Sequence, residues 1–341
     1  MSPILEVAGL KKHFATVRGF PRPVKTVVRA VDGLEFFVHP GEAFGLVGES
    51  GCGKSTAARA VLRLIEPDAG SIRFDGTDVR AASAGALRAL RRRMQIVFQD
   101  PYSSLNPRRS IGRTLAEPLI VHGMARGAAA RDAAATLLAE VGLPAAALAR
   151  YPHEFSGGQR QRIGIARALA LRPDLIVAVE PVSALDVSVQ AQVLLLLKAL
   201  QTRRNLAFVF VSHDLAVIRW FCARVAVMYL GRIVEQGPVA QVFAAPRHPY
   251  TRMLRDASPV PDPSRRGMLP RVVGEIPSAA APPPGCHFHP RCPRASDRCR
   301  VTYPGWTGTA GHGWACHHPH EAEAGVPMAG PARIDRTDAP A

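Results

Sequence analysis

The segment Gly48-Glu49-Ser50-Gly51-Cys52-Gly53-Lys54-Ser55 leaves this chain few folds to choose from. It fits G-x-x-x-x-G-K-[ST] without a gap. Ala43–Val47, just before it, is an apolar strand, and the residues from Thr56 to Ile65 carry helical spacing. Glycines let the backbone curl with its N–H groups pointing inward. A helix start adds positive potential, so the strand–turn–helix unit is a cradle for phosphate. In such a cradle Lys54 reaches the β- and γ-phosphates as a point charge, and the Ser55 hydroxyl is a ligand for Mg2+. Gly48 through Thr56 is therefore the expected ATP site, with Cys52 a small residue inside the loop.

Strand and helix patterns alternate along the chain. Residues 4–8, 34–38, Ser71–Phe74, Met94–Phe98, Leu175–Val179 and Ala207–Val211 read as strands. Thr114–Ile120, Ala128–Val141, Gln159–Leu171 and Val189–Leu200 read as helices. Val225–Tyr229 and Arg232–Glu235 read as a closing antiparallel pair about Gly231. This order predicts an α/β fold with a mostly parallel sheet covered on both faces. The basic insert Ala15–Arg29 is expected to be a loop. An ATP-binding domain is expected over residues 1–257, with a helical subdomain at about 100–170. A Pro-rich linker then spans 258–284, a cysteine-bearing module 285–318, and a disordered Ala/Pro/Gly-rich tail 319–341.

Composition removes several functions. No apolar run approaches the roughly 18 residues a membrane helix needs, and the amino terminus carries no secretory signal pattern. A cytoplasmic protein is expected, reaching a membrane only through partners. The formal charge is +16. That excess is scattered arginine without interleaved aromatics, so no nucleic-acid partner is expected.

Further motifs lie in a fixed order. Phe155-Ser156-Gly157-Gly158-Gln159-Arg160-Gln161-Arg162 opens a predicted helix about a hundred residues after the phosphate loop. It resembles the signature sequence of ABC ATPases. The family resemblance implies that Ser156, Gly157, Gly158 and Gln159 hold the γ-phosphate of a nucleotide on a second ATP-binding subunit, two ATP sites being sandwiched between the two. Gln99, in Val97-Phe98-Gln99-Asp100, resembles the loop glutamine that touches Mg2+ and the attacking water. Ser183-Ala-Leu-Asp186 resembles the loop that crosses to the partner, and His213 the switch histidine. Phe14 is placed like the aromatic that stacks on adenine; a core role for it is the other reading. His248-Pro-Tyr-Thr251 and the C-terminal cysteines are similar to ATP-binding subunits of oligopeptide/dipeptide importers. The resemblance implies a peripheral subunit on the cytoplasmic side of the plasma membrane, in a heterodimer of ATP-binding subunits. It also implies two membrane-spanning permease subunits and a substrate-binding protein. A soluble ABC protein acting on ribosomes or nucleic acid, and a regulatory half without turnover, are the competing readings.

One departure from the family pattern matters. Before the crossing loop the pattern is four apolar residues and then Asp-Glu-Pro-Thr-Ser; here it reads Val179-Glu180-Pro181-Val182-Ser183. Glu180 matches the general base. The carboxylate expected at 179, which would support the Mg2+ shell, is an isopropyl group. Weak hydrolysis in the chain's own site is the expectation.

The spacing Cys286-x5-Cys292-x6-Cys299-x16-Cys316 lacks the tight C-x2-C of a zinc ribbon. Four thiolates suit [4Fe–4S] or Zn2+ on ligand type, and the importer resemblance points to the iron–sulfur cluster.

Overall fold

A computed structural model describes residues 2–18, 24–100, 104–258, 274–309 and 311–321. Strands β1 (Leu5–Arg18) and β2 (Val24–Val38) form a long antiparallel pair, followed by β3 (Ala43–Val47) and helix α1 (Lys54–Val61). Next come β4 (Ala69–Phe74), β5 (Thr77–Asp78), α2 (Ala84–Arg93) and β6 (Met94–Val97). Helices α3 (Ile111–Val121), α4 (Gly127–Glu140) and α5 (Gly157–Leu169) intervene before β7 (Leu175–Val179). The chain continues through α6 (Val187–Arg204), β8 (Ala207–Ser212), α7 (Leu215–Phe221), β9 (Arg224–Tyr229), β10 (Arg232–Pro238), α8 (Val239–Ala244) and α9 (Pro249–Ala257). It closes with α10 (Asp297–Val301), β11 (Thr307–Gly308) and β12 (Gly313–Trp314).

Two sheets form among the described residues. The larger runs β11-β12-β10-β9-β3-β8-β7-β6; its members from β9 to β6 pair in parallel, and the β10, β11 and β12 pairings are antiparallel. The smaller is antiparallel, in the order β2-β1-β4-β5. The parallel strands are apolar at nearly every position because both faces are covered. Alternation along β7 divides them: Ile176 and Ala178 join the core beneath α3–α9, whereas Leu175, Val177 and Val179 face α1 and the smaller sheet.

The insert read as a loop is strand for most of its length. Ala15, Thr16, Val17 and Arg18 pair with Val27, Thr26, Lys25 and Val24. Its β-branched residues outweigh its charges, since a hairpin projecting from a sheet needs no buried face for its polar side chains. Most of the Pro-rich linker (259–273) and of the tail (322–341) lies outside the described residues.

The chain from Gly274 onward packs against the larger sheet. Ala315 N–H donates to Val234 O (2.8 Å), and His320 N–H to Arg247 O (2.9 Å). Cys286, Phe288 and Cys299 belong to the same apolar core as β9 and α9. Glu235, fully buried, accepts from the Arg247 and His248 backbone N–H groups and contacts His312 Nε2, each at 2.8 Å. Burial pushes the His248 imidazole down to about 3. The neutral ring accepts from Tyr250 N–H (3.0 Å), capping α9.

Candidate functional site

The phosphate loop joins β3 to α1 and is held open by its glycines. Gly48, Gly51 and Gly53 have φ of 154°, 79° and 107°. A Cβ on Gly53 would collide with the Ala30 carbonyl oxygen, and one on Gly48 with that of Met228, whereas Gly51 faces open space. Lys54 is buried and donates to the carbonyls of Gly48 (2.6 Å) and Glu49 (2.9 Å). Its ammonium is thus kept inside the loop by backbone acceptors. Ser55 is exposed and Thr56 half-buried. Burial raises the Cys52 thiol, against the pull of Lys54, so a small neutral residue sits there.

The topology gathers three separated residues beside this loop. Gln99 follows β6, Glu180 follows β7, and His213 follows β8, each just past the carboxyl end of its strand. These strands are parallel neighbours, so their ends share one edge, where ligands bind in open α/β sheets. Gln99 Nε2 donates to Glu180 Oε2 (3.0 Å), and His213 Nδ1 lies 3.2 Å from the same oxygen. Glu180 has φ 45° and donates its N–H to Val211 O (2.8 Å). This left-handed turn swings the carboxylate out of the strand. Val179, just before it, is 6% exposed and packs into the core facing α1.

Ser156 caps α5. Its hydroxyl accepts from Gln159 N–H (3.4 Å) while Gln159 Oε1 accepts from Ser156 N–H (3.1 Å), a reciprocal cap that fixes the helix start. Gly158 is buried where a Cβ would strike Val189 of α6. Ser156 and Gln159 are exposed at a helix end bearing positive potential. Phe14 stands half-exposed on β1 with Lys12 Nζ 5.4 Å from its ring centre.

Among the described residues no group of three or more His, Cys, Asp or Glu is placed to hold a metal ion. Burial raises the Cys286 thiol to about 11 and Cys316 to about 12. The sulfurs have local partners: His318 N–H donates to Cys316 Sγ (3.4 Å), and Ser296 Oγ lies 3.6 Å from Cys299 Sγ.

Two residues to which the sequence assigns no role reach the phosphate loop. Tyr250 Oη accepts from Glu49 N–H (2.8 Å). The Arg291 guanidinium donates to both Glu49 carboxylate oxygens, at 2.6 and 2.8 Å.

A phosphate loop on a parallel sheet, with an ordered Ser-Gly-Gly helix start elsewhere in the chain, defines an ATPase of the ATP-binding-cassette class. Solved cassettes agree. One, a dimer in a post-hydrolysis state with ADP and Pi, matches at TM-score 0.60 and 27% identity, over 69% of this chain and 98% of that one. Another, cbiO1 from Clostridium perfringens, matches at TM-score 0.60 and 26% identity over 72% and 92%. The ABC transporter family model matches residues 31–183, and the model for the oligopeptide/dipeptide transporter C-terminal region matches residues 234–299. A relative in Sinorhizobium fredii, named a probable peptide ABC transporter ATP-binding protein, is 52% identical over 92% of this chain and 89% of its own length. The di/tripeptide transport ATP-binding protein of Pseudomonas aeruginosa is 46% identical over 94% and 99%. The chain belongs to the oligopeptide/dipeptide family of ABC transporter ATP-binding proteins.

Proposed function

We propose that this chain couples ATP binding to the import of peptides or related small solutes, as one of two ATP-binding subunits beneath a pair of membrane-spanning subunits. The observation that carries this is the meeting of Gln99, Glu180 and His213 beside the phosphate loop. The names of the relatives support the solute class. No described helix is long and apolar enough to cross a membrane, so the membrane path belongs to partner subunits in this reading. A substrate-binding protein delivers the solute, and the chain works at the cytoplasmic face of the membrane. Residues 1–257 act as the ATP-binding domain, with the helices between 100 and 170 transmitting motion to the membrane partners.

In this site Lys54 and the loop N–H groups hold the β- and γ-phosphates, and Phe14 stacks on the adenine. Mg2+, when bound, would offset phosphate charge, and Ser55 and Gln99 would hold it. Glu180 takes a proton from water as the water oxygen attacks the γ-phosphorus and the bond to the β-phosphate oxygen breaks. His213, 3.2 Å from Glu180, stands ready to hydrogen-bond the γ-phosphate. Ser156, Gly157, Gly158 and Gln159 complete the site of the partner subunit. With Val179 where a carboxylate would support the metal, turnover falls chiefly to the partner's phosphate loop, and the pair is a heterodimer. In the assembled transporter, Ser156→Arg then lowers peptide-stimulated ATPase roughly 10²-fold, while Glu180→Gln changes it by less than about threefold. The reverse ranking would show this chain's own site to be the working one.

The four cysteines are also our proposed site for a [4Fe–4S] cluster that pins the C-terminal segment. Support comes from the donor type and from shared packing: Cys286 N–H donates to Cys299 O (2.8 Å), and Cys292 packs against the apolar core that holds both. Protein purified without oxygen should carry about four iron atoms and four sulfides per chain, falling below one in Cys299→Ser. One Zn2+ per chain, or no metal, rejects the iron–sulfur assignment.

A further inference from the structure

Every polar group of Glu49, the second residue of the phosphate loop, is engaged. Its N–H is held by Tyr250, its carbonyl by Lys54 and its carboxylate by Arg291. Two of these three partners come from outside the loop. The Arg291 side chain is 1% exposed and that of Glu49 21%, so the pair is shielded from screening by salt. The Arg291 guanidinium lies 5.9 Å from the ring centres of both Tyr229 and Phe288. Those rings join Tyr250 in one cluster, with centroids 4.6–5.4 Å apart. Arg291 ends a single helical turn, His289–Arg291, inside the C-terminal segment, and Cys292 follows it.

A carboxylate in a loop built to receive a polyanion is a liability. Unpaired, Glu49 would repel the incoming phosphates across a half-buried site, where charge is felt more strongly than in water. Arg291 cancels that charge with a two-point, planar match that a lysine cannot reproduce in full. The arginine is contributed by residues 274–321, more than two hundred positions away. We propose that Arg291 is a positioning residue of the ATP site. By neutralising and orienting Glu49 it makes nucleotide affinity conditional on docking of the C-terminal segment. Reciprocity follows: bound ATP tightens the docking by the factor by which docking tightens ATP. The inference rests on reading Gly48–Thr56 as the site of nucleotide binding.

The test is titration of the full-length chain with a fluorescent ATP analogue and Mg2+, with melting temperatures recorded without nucleotide. Arg291→Ala weakens binding roughly tenfold or more, the scale of one poorly screened like charge beside a triphosphate. Arg291→Lys retains affinity to within about fivefold. Adding Glu49→Gln to Arg291→Ala brings binding back to within about threefold of wild type, because the stranded charge is gone. A merely structural arginine would show no such rescue. Arg291→Ala binding within twofold of wild type, or a double variant as weak as Arg291→Ala, overturns the proposal. Should Arg291→Ala fail to fold, Glu49→Gln alone decides: it binds at least as tightly as wild type, and weaker binding overturns the idea. Lys54→Ala separates the two readings. Wild-type affinity in that variant would remove the phosphate-loop assignment itself, whereas its loss with Arg291→Ala unaffected removes only the role of Arg291.

Discussion

Val179→Asp should raise Mg·ATP turnover by the isolated chain by roughly 10²–10³, the loss expected when a few kcal/mol of electrostatic support is missing from a phosphoryl-transfer site. The position is well placed for that support. It ends β7, next to Glu180, at the sheet edge where Gln99 and His213 also stand. Yet Val179 lies in the apolar core facing α1, so a carboxylate there is desolvated until a cation meets it. The variant should therefore melt lower than wild type without nucleotide, by about 1–3 kcal/mol of stability, and recover when Mg·ATP is added. Steady-state phosphate release and melting curves read both effects. Equal turnover in wild type and variant would mean that the site works without the acid.

Gly53→Ala should lower ATP affinity at least ~10²-fold and destabilise the fold by about 2–4 kcal/mol. The reason is collision, not flexibility. The backbone at Gly53 already has φ 107°, and its missing Cβ is what lets the loop lie against the Ala30 carbonyl of β2. Gly51→Ala is the matched comparison. It shares a positive φ (79°) but points into open space, so only the backbone penalty of about 1 kcal/mol applies. A calorimetric titration of each variant ranks them. If Gly53→Ala is no worse than Gly51→Ala, close packing of the loop on β2 is not what shapes the site.

What could be read from the chain alone follows from how the information is laid out. The phosphate loop is contiguous, so its residues, strand and helix were legible together. The runs Leu175–Val179 and Ala207–Val211 were legible as buried strands because both of their faces are covered. Gln99, Glu180 and His213 are separated by long stretches, and only family resemblance joined them. The physical reason for their meeting, parallel neighbours ending at one edge, exists only once β6, β7 and β8 are ordered in the sheet. The outer part of the β1–β2 hairpin, Ala15–Arg29, reads as a loop because charges and prolines mask its β-branched residues. Helices α7, α8 and α9 are six to nine residues long, too short for a periodicity to emerge. His248 and Tyr250 were noticed as a family mark without a role; one caps α9 and the other reaches Glu49. Arg291 carried no signal at all. Its meaning depends on a contact spanning most of the chain, and one more arginine among many gives no reason to single it out.

Strand β12 lies along β10, and β11 along β12, so the margin of the larger sheet is finished by residues 307–314. When β10 leaves the exit tunnel it presents unpaired backbone N–H and C=O groups, and about seventy further residues must be made before its covering strand arrives. At ordinary elongation rates the nascent chain carries an open, pairing-competent edge for several seconds. Chains released before residues 307–314 are made should be the species that associate wrongly through this edge.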